Sequence, residues 1–214
     1  MDLYRIGVIG TGNVGRALAF GLGAAGHEVV VGGRDPGRAD LASWAEGAGV
    51  EVAHVEKAVE GAELAILATA WDGAENALRM AEDGLAGKVL IDATNPLKFT
   101  TRLELGVGHV DSGGEQVQRW VPEARVVKLF NTVGFELMDR PDLVDGPGTL
   151  FMAGDDDEAK AVARSLAADL GWGVHDCGEL RAARLTEPLA MVWIEHAMRS
   201  GSRSHAFRLI GTPA

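Results

Sequence analysis

A single cysteine, Cys177, in a chain of 214 residues leaves no internal disulfide and no thiolate cluster for a metal. No apolar run approaches the roughly 18 residues of a membrane span, so no membrane partner is expected. The N-terminus enters a polar-flanked strand at once, without the charged and apolar regions of a secretory leader. These absences predict a cytoplasmic protein. Basic residues are scarce: 20 Lys and Arg against 31 Asp and Glu give a net charge of -11, which argues against nucleic acid. Six histidines (His27, His54, His109, His175, His196 and His205) occur without H-E-x-x-H or comparable spacing, so no metal site is predicted. Cys177 has no histidine at a spacing that implies a nucleophile pair, and reads as a small strand-end residue.

What the chain does have is 47% apolar residues, arranged as short β-branched runs alternating with amphipathic stretches. The runs are Ile6 to Ile9, Val29 to Val31, Val50 to Val52, Leu64 to Ala68, Val89 to Ile91 and Val126 to Phe130. Most are apolar at successive positions, as strands buried on both faces must be. The pattern predicts an α/β fold, a Rossmann doubly wound and mainly parallel sheet, with a small C-terminal α/β extension. The division is expected at residue 147, with 1–147 as the dinucleotide-binding domain and 148–214 as a substrate-capping unit.

Gly10-Thr11-Gly12-Asn13-Val14-Gly15 reads G-x-G-x-x-G directly after the first strand and opens a helix, which is the context this motif needs. Gly10 permits the turn, Gly12 lets a pyrophosphate approach the backbone, and Gly15 lets helix and strand pack closely. Gly21 and Gly23 inside that helix suggest close packing on the sheet. The second strand ends in Gly32-Gly33-Arg34, where an NAD site usually carries a carboxylate. Arg34, with Arg38 a turn further on, suits a 2′-phosphate instead. Asp35 reads either as that carboxylate displaced, or, with Pro36, as an N-cap and first-turn proline; the second reading is preferred, and with it NADP(H). Thr69-Ala70-Trp71, Thr94-Asn95-Pro96 and Asn131-Thr132 follow later strands, at the edge that faces the ligand crevice. Trp71 fits a core anchor as well as a wall of the nicotinamide pocket.

The segment from Asn95 to Gly114 holds Pro96 and several glycines without a sustained period, and reads as a long binding loop. His109 within it reads first as an exposed loop residue, and is the one histidine to test as a proton donor or substrate contact. Beyond Gly148 come a strand (Thr149 to Ala153), a turn and cap (Gly154 to Asp157), a helix, a short strand at Val174-His175, and a helix from Leu180 to about Arg199, broken or kinked at Pro188.

Taken together, the blocks Ile9 to Gly15, Val31 to Arg34, Ala70-Trp71-Asp72, Asp92 to Leu97, Lys128 to Thr132, Ala153 to Asp157, Asp176-Cys177-Gly178 and Ala183 to Leu189 resemble the NADP-dependent reductases of the deazaflavin coenzyme F420. That group extends to the cytosolic domains of six-transmembrane metalloreductases. The resemblance covers essentially the whole chain. It implies NADP(H) along the sheet edge, contacting Gly10 to Gly15, Arg34, Arg38, Thr69, Ala70 and Asn95. It further implies a small-molecule hydride acceptor, coenzyme F420 or flavin-like, shaped by Pro96, Asn131, Leu185, Pro188 and Leu189. Direct hydride transfer needs stacking and distance control more than a protein acid or base, and no catalytic residue is assigned. The closing helix also lacks a lysine, Lys160 being the last, which weakens general-base alcohol oxidation. Alternatives are a reductase of an imine, carbonyl or ferric chelate, and a non-catalytic NADP(H)-binding regulator. The C-terminal unit cannot bury much apolar surface alone, so a homodimer through it is expected.

Overall fold

The computed structural model describes residues 2–143 and 146–211; the ends of the two expected segments at 1, 144–145 and 212–214 lie outside the described residues. Its sheet begins with β1 (Arg5–Ile9), β2 (Glu28–Gly33) and β3 (Glu51–His54), joined by α1 (Asn13–Ala24) and α2 (Ala39–Ala48). The second half is α3 (Val55–Glu60), β4 (Leu64–Leu67), α4 (Trp71–Leu85) and β5 (Val89–Asp92). A hairpin, β6 (Leu97–Phe99) and β7 (Leu103–Leu105), then precedes α5 (Gly113–Trp120), β8 (Arg125–Lys128) and α6 (Phe135–Met138). The chain closes with β9 (Thr149–Gly154), α7 (Asp157–Asp169), β10 (Gly173–Asp176), a 3-10 turn at Leu180–Ala182 and α8 (Ala183–Ser200).

The strand order is β10-β9-β8-β5-β4-β1-β2-β3. All six strands from β8 to β3 run parallel, the doubly wound arrangement. β9 joins β8 antiparallel and β10 follows β9 parallel, so residues beyond 148 extend the same sheet. Helices cover both faces. Val8, Leu18, Leu22, Ile66 and Ile91 pack with Leu150, Leu166 and Trp172 on one side; Ile9, Leu67, Leu78, Leu90, Val117 and Val126 pack on the other. Each such side chain, fully buried, adds about 1.5–3 kcal/mol. That two-sided burial is why the strands read as continuous apolar runs.

Four local expectations are corrected. The Asn95 to Gly114 segment is not one loop: it contains the β6–β7 hairpin, registered Leu97 to Leu105 and Phe99 to Leu103, and the start of α5. Three-residue strands are too short for alternation to mark them. Asp35 does not cap α2; its Oδ1 accepts from the Gly37 N–H at 3.2 Å in a local turn, and the helix begins at Ala39. Gly21 is required, but not by the sheet: a Cβ there would lie 2.8 Å from both Asp139 Cα and Leu170 Cδ2. α8 runs unbroken through Pro188, which removes one bond close to the helix start on an exposed face. Among the described residues no helix is long and apolar enough to cross a membrane.

Candidate functional site

The order of strands reverses between β1 and β4, and a groove of about 620 Å³ opens beyond their carboxyl ends. Gly10 turns the chain out of β1 at φ +131°, and its N–H donates to the Gly32 carbonyl at 3.0 Å. A side chain at Gly10 would meet the Ala68 carbonyl, and one at Gly15 would run into the carbonyl of Gly10. A Cβ at Gly12 would touch nothing within 4 Å, because it would stand in the groove itself. Gly12 also begins α1 with no side-chain cap and no acidic residue in the first turn. The free amides of that turn, with the helix dipole behind them, form an anion site. Asn13 and Val14 occupy its first turn.

Thr11, Gly33, Arg34, Thr69, Ala70, Asp72 and Asn76 are among the other residues of the lining. A Cβ at Gly33 would lie 2.7 Å from Thr11 Cγ2, so any side chain there would have to displace the Thr11 methyl. Arg34 is exposed and forms no ion pair among the described residues. Thr69 Oγ1 is buried without a hydrogen-bond partner. These features fit a bound dinucleotide: open space over Gly12, free amides, an unpaired guanidinium at the rim and an unsatisfied hydroxyl. Arg38 is not brought to the groove. Its Nε and Nη2 donate to Asp40 at 3.0 and 2.8 Å, and the guanidiniums of Arg38 and Arg16 hold the Asp40 carboxyl down at about 2.

A second recess of about 290 Å³ continues from Ala68 to Asp72 toward Thr94, Asn95 and Leu97. Trp71 is half-buried, lines this recess, and its ring lies 5.2 Å from that of Trp120. Asn95 Nδ2 donates to the Asn131 carbonyl at 2.8 Å, while Asn131 Nδ2 donates to Asn95 Oδ1 at 3.1 Å and to the Thr186 carbonyl at 3.2 Å. Three chain segments therefore meet in one amide network. Phe130, fully buried, enters it at φ +65°, a conformation costly for a bulky residue and held by its surroundings.

Sequence reasoning missed what lies beneath. Lys128 Nζ donates to Asp92 Oδ2 at 2.8 Å and to Glu187 Oε1 at 2.9 Å, all three side chains being essentially inaccessible. Glu187 also accepts from the Gly113 and Gly114 N–H groups at 2.9 and 3.0 Å, and Asp92 Oδ1 accepts from the Thr94 N–H and hydroxyl at 2.9 and 2.6 Å. Burial lowers the Lys128 ammonium, yet the Asp92 and Glu187 carboxylates outweigh it and the pKa is raised. One signal was present: a lysine inside the apolar run Val126 to Phe130 must find buried carboxylates.

The remaining expected residues lie elsewhere. Leu185 and Pro188 line a broader cleft of about 1010 Å³ with His109, Cys177, Arg181 and Arg184. The hairpin stands between this cleft and the recess: Leu97 borders one, its partner Leu105 the other. Pro96 is buried beside Gly113, and Leu189 lines neither space. Arg184 is tied bidentately to Glu115, at 2.8 and 2.6 Å. Burial and then Asp176 push the Cys177 thiol up, away from thiolate chemistry. Among the described residues no group of three or more His, Cys, Asp or Glu is placed to hold a metal ion.

Comparison with known proteins agrees with this geometry. Residues 5–96 match the family model of coenzyme F420-dependent NADP oxidoreductases. The F420-dependent NADP reductase of Methanothermobacter marburgensis is 32% identical, over 98% of this chain and 99% of that protein. Rat metalloreductase STEAP3 is also 32% identical, over 87% of this chain, but the match spans only 36% of its length. A crystal structure from Arthrobacter sp. FB24, described as a candidate F420-dependent NADP-reductase, superposes with a TM-score of 0.91 at 37% identity, covering 97% of this chain and 100% of that one. The chain is therefore an oxidoreductase, a member of the family of F420-dependent NADP reductases.

Proposed function

We propose that this chain binds NADP(H) in the glycine-lined groove and passes hydride between it and a deazaflavin or flavin-like acceptor seated over the amide network. The observation that carries the cofactor is Arg34, a guanidinium without an ion-pair partner among the described residues, at the end of β2, where an NAD site would present a carboxylate. The acceptor rests on the family, in which the Methanothermobacter marburgensis relative is named for F420. Bound NADPH supplies the hydride; the chain's own task is placement. The α1 amides take the pyrophosphate, Thr69 offers its free hydroxyl, and Asn95 and Asn131 fix the floor on which the two rings meet. Positioning of this kind can supply several kcal/mol of rate without an acid or base. Residues 148–214 act as the capping unit, through Thr186 and Glu187.

Mixing purified protein with NADPH and oxidised deazaflavin should bleach the deazaflavin's visible band. Absence of bleaching at every pH, alongside NADPH consumption with an imine or ferric chelate, would transfer the assignment to that acceptor. Arg34→Ala should weaken NADPH binding about tenfold or more, the loss of one charge-assisted contact, while NADH binding changes little. Equal losses for both would remove Arg34 from the 2′-phosphate.

A further inference from the structure

Three arginines stand near the adenosine end of the groove, and they are held unequally. Arg34 has no ion pair among the described residues. Arg16 is anchored at three points: its Nε donates to the Thr11 carbonyl at 3.0 Å, its Nη2 to Asp40 Oδ2 at 2.8 Å, and its guanidinium lies 5.2 Å from the Trp44 ring. Arg38, half-exposed and immediately before α2, is held by two hydrogen bonds to the Asp40 carboxylate, with Asp35 adding a weaker attraction. Thr11 lines the groove, so the series Thr11, Arg16, Asp40, Arg38 runs outward from its rim.

The physical chemistry favours exchange at the outer end of that series. An exposed arginine–carboxylate pair contributes little net stability, being solvated and screened. A 2′-phosphate offers more charge than a carboxylate and the same fork geometry, so Arg38 has more to gain there. Asp40 keeps Arg16 when Arg38 departs and is not left unpaired. Three residues, Asp35 to Gly37, separate Arg38 from Arg34, and this intervening turn presents no strand or helix that must be broken to bring them together.

We infer that Asp40 holds Arg38 in reserve beside the groove and releases it to the 2′-phosphate, which makes Asp40 a residue that sets the preference between NADP(H) and NAD(H). The inference rests on the NADP(H) reading, in which Arg38 is already an expected phosphate ligand, and adds to it Asp40 as the competitor for that ligand. It also accounts for a guanidinium expected at the phosphate yet found turned away from it.

A double-mutant cycle tests this, using Asp40→Asn, Arg38→Ala and the pair together, with NADPH and NADH binding measured by titration calorimetry at one ionic strength. Asp40→Asn should tighten NADPH about three- to tenfold, and Arg38→Ala should weaken it by a similar factor. In the Arg38→Ala background most of the Asp40→Asn gain should vanish. NADH should stay within about twofold throughout, since it carries no group for Arg38. An equal Asp40→Asn gain with and without Arg38 would mean that only a repelling charge had been removed, and would overturn the exchange. So would a matching loss for NADH, which would mark Asp40 as a support for Arg16. A wild-type protein that binds NADH as well as NADPH would defeat the cofactor reading itself. A clear wild-type preference that survives Arg38→Ala unchanged would defeat the exchange alone.

Discussion

Lys128→Met is expected to lower the stability of the folded chain by about 3–5 kcal/mol, the cost of leaving buried carboxylates without their cation. For a chain of this size that corresponds to a fall in Tm on the order of 10 °C. Methionine fills most of the lysine's volume, so the loss is electrostatic and not a cavity effect. Asp92 and Glu187 keep other partners, Thr94 for the first and the Gly113 and Gly114 amides for the second, which limits the damage but leaves two negative charges facing one another. The pH dependence identifies the cause. In the wild type the Lys128 pKa is raised on folding, so its contribution is complete below the unfolded lysine pKa and fades only as pH climbs through the folded value. The gap in Tm between the two proteins should therefore be full from neutral pH up to about the ordinary lysine pKa and narrow only as pH climbs above it. A gap that is small, or that stays constant above that pKa in thermal melts, would remove the buried triad from the list of what holds α8 to the sheet.

That triad also marks the limit of what could be read along the chain. Parallel strands buried on both faces, helices opened after Gly12 and closed at glycine, and the glycine motif itself depend on residues near in sequence, and all were legible. The groove followed, because it is lined by the turn after β1, the end of β2 and the turn from β4 into α4, each marked by glycines or polar residues close together in sequence. The amide network and the triad did not follow: Asn95 meets Asn131 across 36 positions, and Gly113 meets Glu187 across 74. Such partners become neighbours only once β5, β8 and α8 converge, and the register of that convergence is not written in any local pattern. The hairpin at Leu97–Leu105 was hidden for a different reason, since three residues per strand give periodicity too little to work on. Arg38 shows a third limit. Its position was foreseen, but its partner depended on which of several nearby charges it reached first.

Within the glycine motif, two substitutions of equal size should fail in opposite ways. Gly15→Ala places a methyl group against the Gly10 carbonyl, which is backbone and cannot swing aside. The turn after β1 and the start of α1 must separate, so the variant should lose stability by about 1–3 kcal/mol, as overpacked sites do, and bind the dinucleotide poorly as a consequence. Gly12→Ala meets nothing in the folded chain, and Gly12 sits at φ −76°, ψ −177°, which alanine adopts freely. Its melting temperature should match the wild type. Yet the methyl group stands where a pyrophosphate must approach the α1 amides, and pushing the ligand off even one charge-assisted bond costs about 1.5–3 kcal/mol, or ten- to a hundredfold in Kd. Thermal melts with and without NADPH separate the two: ligand should raise the Tm of the wild type by linkage and leave that of Gly12→Ala nearly unmoved. Gly12→Ala that melts normally and still gains full stabilisation from NADPH would place the pyrophosphate somewhere other than the N-terminus of α1. Gly15→Ala that folds and binds like wild type would show that the turn can yield by about an ångström without cost, and that Gly15 is not what holds helix and strand together.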